Sequence, residues 1–412
     1  MDWFDINSTE TKLAELSIKR VLAMSSDTHN IFTPFPLCKE IVGKIPVLAG
    51  KVLIVANLEF VYTLKQRSID LSQIYFATPC PIKAKAAESI LLRQNIFIYK
   101  TVIEEKDVNG MKFDVIVGNP PYQENMDDGS RKSKNVNLWS KFIAQAFDTL
   151  VVDSGYVAFI TPPSWMSPNS KVLHYFLENQ VEYLNVGECK KYFPTIGSQF
   201  SWYVIQKRSP YALTEVVCQY KNEVNLSYID LTTEVTYLPM WITQQTIDIL
   251  TKTIFSAESH IPVQIINELH TSRHVGVVNK EQTPNFPYPA FNTGTDIWYV
   301  SKQSSNYLLK KVLFGLPGNI SPVYDNGNLS TTSNGAFVVV SSLEEGNNLI
   351  TVLTSRLYKF ITSISKWNGF NAPKVIQRLP AVDLSHSWTD QELYKHFNLT
   401  KDEIKLIEET IK

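Results

Sequence analysis

The residues best suited to chemistry stand four in a row, Asn119-Pro120-Pro121-Tyr122. Directly before them runs Phe113-Asp114-Val115-Ile116-Val117-Gly118, whose β-branched apolar centre predicts a strand buried on both faces of a parallel sheet. Gly118 reads as the residue that lets the chain turn sharply, and the two prolines as fixing the backbone that follows. One amide and one aromatic ring would then stand at the carboxyl end of a strand, where open α/β sheets bind their ligands. Such a pair suits an exocyclic amine on a nucleobase, whose lone pair is delocalised into the ring and is a poor nucleophile. Two acceptors aimed at its hydrogens would localise that lone pair. The Asn119 side-chain oxygen and the Pro120 carbonyl can serve, because Pro121 has no N–H to compete, and Tyr122 can stack on the base. A bare Asn-Pro-Pro is as readily an ordinary turn; the strand before it and the tyrosine after it favour the chemical reading.

The surrounding pattern predicts an α/β sheet. Short apolar runs at 51–56, 74–77, 96–99 and 181–186 read as strands, 155–165 as a strand and turn, and 192–207 as a loop followed by a strand or hairpin, while helical spacing appears over 8–28 and 138–147. Past about residue 210 the pattern changes to short strands and turn signals such as Tyr324-Asp325-Asn326-Gly327. The tail carries Thr389 and Thr400 as helix caps with acids in the first turns.

The chain has 412 residues, enough for two or three domains, and a formal net charge of −1. No chain-wide basic excess marks nucleic-acid binding, so any such contact would come from local clusters and depend on salt. Four widely spaced cysteines, Cys38, Cys80, Cys189 and Cys218, form no metal-ligand pattern and fit a reduced, cytoplasmic setting. His270 and His274 could share a helix face but lack a third ligand, so no metal is expected. No apolar run is long enough to span a bilayer, and Met1-Asp2-Trp3-Phe4-Asp5 does not read as a signal peptide.

The phrase from Met111 to Gln123, with Asn-Pro-Pro-Tyr following a strand that ends in glycine, resembles the catalytic motif of the amino-group DNA methyltransferases. It is similar to the methylase of Eco57I-like restriction-modification systems, and Thr33-Pro34 lying before the strands gives the motif order of the gamma type. The resemblance is strong at this motif and the following strand, good at the tail, and poor in the cofactor segments. It implies a Rossmann-like methyltransferase sheet with helices on both faces and a C-terminal mixed α+β DNA-recognition domain. The implied boundaries are 1–210 for the catalytic domain, 211–375 for target recognition and 376–412 for a helical tail. It also implies S-adenosyl-L-methionine as cofactor, N6 of a flipped adenine in double-stranded DNA as acceptor, Asn119, Pro120, Pro121 and Tyr122 as catalytic residues, and Phe193 as an aromatic against the base.

The cofactor segments depart from the family pattern. After the first strand stand Asn57 and Glu59 where an acid and a glycine-rich turn belong; after the second stands Thr78 where a ribose-binding carboxylate belongs; after the third, Lys100-Thr101 replace an aspartate. The cofactor candidates are therefore Thr33, Pro34, Asn57, Glu59 and Thr78. Arg131, Lys132 and Lys134 follow the motif closely enough to clamp DNA phosphates, and Lys302, Lys310, Lys311, Lys366, Lys374 and Arg378 could serve the backbone further on. The residues implied by this resemblance point to the modification component of a restriction-modification or phage system, with cleavage left to a separate endonuclease. Two other readings stay open: a DNA-binding relative that has lost its cofactor, and amino methylation of RNA or protein.

Overall fold

Each short apolar run of the first half becomes a strand of one sheet. In chain order the strands of that sheet are β1 (Val52–Val55), β2 (Ile74–Thr78), β3 (Ile96–Ile98), β4 (Phe113–Gly118), β5 (Val151–Thr161), β6 (Gln180–Val186) and β7 (Ser201–Gln206), joined by β8 (Thr214–Tyr220) and β9 (Glu223–Ile229). The computed structural model describes residues 3–25, 31–122, 137–168, 170–231, 234–271, 277–294, 296–367 and 373–412. The nine strands lie in the order β3-β2-β1-β4-β5-β7-β6-β8-β9, parallel from β3 to β5, with β7 antiparallel between β5 and β6. All four side chains of β1 are buried, as are those of β4 apart from Asp114. Burial on both faces is why these runs are unbroken in apolar residues.

Helices α1 (Thr9–Met24), α2 (Phe35–Lys44), α3 (Leu58–Gln66), α4 (Pro81–Glu88), α5 (Leu138–Gln145) and α6 (Leu173–Leu177) accompany the sheet. The start of α1 is fixed by Ser8, whose hydroxyl accepts from the Thr11 N–H at 3.1 Å.

The strand order runs one way from β1 and the other way from β4, which makes the seam between them the switch point where ligands bind in such sheets. In register there, Val55 faces Gly118. A Cβ on Gly118 would meet the Val55 carbonyl oxygen at 2.5 Å. Gly118 has no positive φ. Its glycine is thus required by the close approach of two strand ends, not by the sharp turn expected from the sequence.

The sheet continues past residue 210. Strand β8 pairs in parallel with β6, setting Glu215 opposite Tyr183, and Lys44 of α2 binds Glu215 at 2.7 Å. The first compact unit accordingly takes in residues 1–166 and 170–233.

The second unit comprises 167–169 and 234–412. It contains α7 (Gln244–Leu250), then β10 (Val278–Asn279), β11 (Tyr288–Thr293), β12 (Asp296–Val300), β13 (Lys310–Gly315), β14 (Val323–Asn326), β15 (Ser330–Thr331) and β16 (Gly335–Val339). These make a four-stranded sheet, β10-β12-β11-β15, and a three-stranded one, β14-β13-β16. Helices α8 (Leu343–Thr354), α9 (Arg356–Ile364), α10 (Pro373–Ile376), α11 (Asp390–His396) and α12 (Lys401–Thr410) complete it. Thr389 with Glu392 and Thr400 with Glu403 form capping boxes at α11 and α12. Glu403 also binds Lys252 at 2.8 Å, and the Tyr358 hydroxyl donates to the Pro380 carbonyl at 2.6 Å. Residues 376–412, expected as a helical tail, lie within this unit.

One proposed phosphate contact is corrected here. Lys311 is fully buried, and its ammonium donates to Asp325 at 2.6 Å and to the Leu309 carbonyl at 3.1 Å. Asp325 in turn accepts from the Asn328 and Leu329 N–H groups. A charge so enclosed is a structural pair within the strand layer and does not face a phosphate.

Candidate active site

The seam between β1 and β4 is closed by hydrogen bonds between residues far apart in sequence. Asn57 occupies the N-cap position of α3, yet its side chain caps no helix N–H. Its Oδ1 instead accepts from the Asn119 backbone N–H at 2.7 Å, and its Nδ2 donates to the Thr33 hydroxyl at 3.4 Å. Asn119 Nδ2 donates to the same hydroxyl at 3.3 Å. Thr33 in turn donates its backbone N–H to Glu59 Oε1 at 2.8 Å. Pro34 follows as the N-cap of α2 and accepts from the Leu37 and Cys38 N–H groups. Thr33, Asn57, Glu59 and Asn119 thus form one connected cluster.

On the other side of Asn119, the Tyr122 hydroxyl donates to Oδ1 at 2.8 Å, with the Ile160 carbonyl at 3.4 Å beside it. Burial pushes the Tyr122 hydroxyl well above the ordinary tyrosine range, with Cys189 and Tyr203 adding to the effect, so it remains a donor. These bonds fix the amide: its nitrogen faces Thr33 and its oxygen faces Tyr122. An amide oxygen has two lone pairs, so Oδ1 keeps capacity for a second donor. Pro120 is buried and Pro121 half-buried, which holds the turn.

Phe193, just past the short 3₁₀ helix Glu188–Tyr192, is buried against Phe200 with ring centroids 4.7 Å apart. Phe200 stands 6.2 Å from Tyr122. The aromatic wall is therefore three rings, with Phe200 between the two chosen from the sequence.

Glu59 is fully buried in the first turn of α3. Burial pushes its carboxyl up to about 6, opposed by its own and the Thr33 backbone N–H groups and by the charge of Lys83. Its Oε2 has no hydrogen-bond partner among the described residues. A buried carboxylate oxygen left unsatisfied fits a ligand that brings a cationic amine. The turn leading to it is unusual. Ala56 lies at φ 69°, the left-handed region where glycine is the unstrained residue. An alanine thus takes a backbone conformation that glycine adopts without strain.

Thr78 ends β2 fully buried, and its hydroxyl accepts from the Cys80 N–H at 3.2 Å, shaping the turn into α4. Cys80 is buried and structural. From that turn Lys83 reaches back, itself buried, with its ammonium donating to the Ala56 carbonyl at 3.4 Å. Lys83, Ala56 and Phe200 were missed from the sequence. A lysine in the first turn of an ordinary helix carries no local sign of burial, whereas Phe200, flanking a strand beside the Phe-Pro loop, could have been found. Arg131, Lys132 and Lys134 lie outside the described residues, as does His274.

Residues 5–189 match the family model of the Eco57I restriction-modification methylase. A stretch of 56 residues is 41% identical to an uncharacterized adenine-specific methylase of Mycoplasma pneumoniae, covering 14% of this chain and 13% of that one. In fold, the chain is similar to the DrdV–DNA complex, with a TM-score of 0.55 at 11% identity, covering 98% of this chain and 58% of that one. It is similar as well to the type IIL restriction-modification enzyme MmeI in complex with DNA, with a TM-score of 0.53 at 10% identity, covering 90% of this chain and 64% of that one. The chain thus spans less than two thirds of the length of each of these three proteins. Among the described residues no helix is long and apolar enough to cross a membrane. The matched residues 5–189 hold both the strand seam and the Asn-Pro-Pro-Tyr turn.

Proposed function

We propose that this protein methylates N6 of adenine in double-stranded DNA, using S-adenosyl-L-methionine and a base flipped out of the duplex, as the modification component of a restriction-modification or phage system. The observation that carries this reading is the continuous hydrogen-bonded path from Glu59 through Thr33 and Asn57 to Asn119 and Tyr122. It ties the end of β1 to the end of β4 and supports an acceptor that can face an incoming amine.

When bound, S-adenosyl-L-methionine supplies an electrophilic methyl group. Glu59 Oε2 would hold the cofactor's ammonium, with Thr33, Pro34, Asn57 and Thr78 around it. Asn119 Oδ1 and the Pro120 carbonyl accept the two amine hydrogens of adenine and localise its lone pair. Tyr122 keeps the amide oriented and, with Phe193 and Phe200, offers apolar contact in place of the stacking the base loses on leaving the duplex. The amine proton leaves after transfer. No metal is required, because the electrophile comes with the cofactor. The second unit serves target recognition, Arg131, Lys132 and Lys134 the phosphates beside the extruded base, and cleavage falls to a separate endonuclease in the cytoplasm.

The test is transfer of a radiolabelled methyl group from S-adenosyl-L-methionine to duplex DNA by the purified full chain. Label should appear on adenine, and Asn119→Ala should abolish it while leaving the protein folded. Label that survives Asn119→Ala would remove the asparagine from its role; no label with well-folded protein would favour a binding relative without catalysis.

A further inference from the structure

Two opposite charges converge on the carboxyl end of β1 from neighbouring elements. Glu59 enters from α3 and Lys83 from the first turn of α4, and each is more than nine-tenths buried. The Lys83 ammonium is 3.4 Å from the Ala56 carbonyl, the residue that turns left-handed between β1 and Asn57. Three residues further on is Glu59, with Oε2 unsatisfied. The charge of Lys83 is felt at Glu59, where it favours the carboxylate. The turn after β2, where a carboxylate for ribose hydroxyls belongs by resemblance, thus returns a cation to the seam.

A buried anion and a buried cation at one strand end are complementary to a zwitterion. The amino-acid end of S-adenosyl-L-methionine is one, its ammonium and carboxylate borne on a single carbon. We propose that Lys83 receives the cofactor's carboxylate while Glu59 receives its ammonium, so that this pair selects for an intact amino-acid end. This rests on the methyl-transfer reading and adds a specificity residue to it. The pair anchors the cofactor at its methionine end, which offsets the loss of the ribose-binding carboxylate.

The experiment is isothermal titration of the full chain with S-adenosyl-L-methionine and with its decarboxylated form, in the wild type, Lys83→Met and Lys83→Arg. The wild type should prefer the intact cofactor by about tenfold or more, the size of one charge-assisted hydrogen bond. Lys83→Met should lose that preference through weaker binding of the intact form alone, and Lys83→Arg should retain most of it. Equal binding of both forms by the wild type overturns the proposal, as does an equal loss of both in Lys83→Met, which is what a merely structural lysine would give. Should Lys83→Met fail to fold, the wild-type preference and its retention in Lys83→Arg decide the matter. Binding of neither form by the wild type would bring down the methyl-transfer reading too, whereas binding without discrimination sinks the lysine's role alone.

Discussion

The two halves of the candidate site are built on different terms. The half proposed for the target base is contiguous: four residues directly after β4, with Tyr122 bonded to Asn119 three positions away. The half proposed for the cofactor is assembled from α2, α3 and the strand ends, with Thr33 meeting Glu59 across 26 residues and Asn57 meeting Asn119 across 62. The geometry of a contiguous motif depends on its own neighbouring residues. A dispersed one depends on the strand ends that bring its members together, and Ala56 takes a left-handed conformation at one of those ends.

The seam joining the halves is the most sensitive point. Gly118→Ala would drive a Cβ against the Val55 carbonyl, and urea unfolding should show a loss of about 3 kcal/mol. Unchanged stability would mean that the strand ends yield easily and the halves are not rigidly joined. Asn57→Ala cuts the bridge while leaving both halves standing. Methyl transfer at saturating substrate should fall about a hundredfold, as expected for a lost positioning contact. A change confined to cofactor binding would show that the halves act separately.

Glu59 makes the stability of the fold depend on pH. Its folded value, about 6, lies above the ordinary 4.5, so the neutral carboxyl favours the folded state. That contribution is complete below about 4.5 and lost as pH rises through about 6. Relative to Glu59→Gln, wild-type stability should therefore drop by about 2 kcal/mol between pH 4.5 and 7.5, measured by urea unfolding at each pH. Binding of a cationic amine needs the carboxylate, so cofactor affinity should rise over the same interval. The smallest effect is expected at the turn. Ala56→Gly relieves left-handed strain but adds unfolded-state freedom, leaving a net gain of about 0.5 kcal/mol in thermal or urea unfolding.

The same contrast decides what could be read from the sequence. The strands from β1 to β7 were legible because burial on both faces leaves unbroken apolar runs, and the Asn-Pro-Pro-Tyr turn was legible because it is contiguous. Strand β9 was not, since Val224, Leu226 and Tyr228 are all exposed and its alternation reads like a hairpin of the next domain. Lys311 looked like a surface cation because its partner, Asp325, is 14 residues away on β14. Lys83 was hidden for a similar reason: its burial depends on β1 lying beside β2, a fact of topology and not of local pattern.

The central claim is that the cofactor half still works with the intact base half. Its most direct test is nucleoside mass spectrometry of DNA from cells that lack other adenine methylation and express either the wild-type chain or Asn119→Ala. N6-methyladenine should appear in the first and be absent from the second. Unmodified adenine in both, with the wild-type protein present and folded, would contradict it.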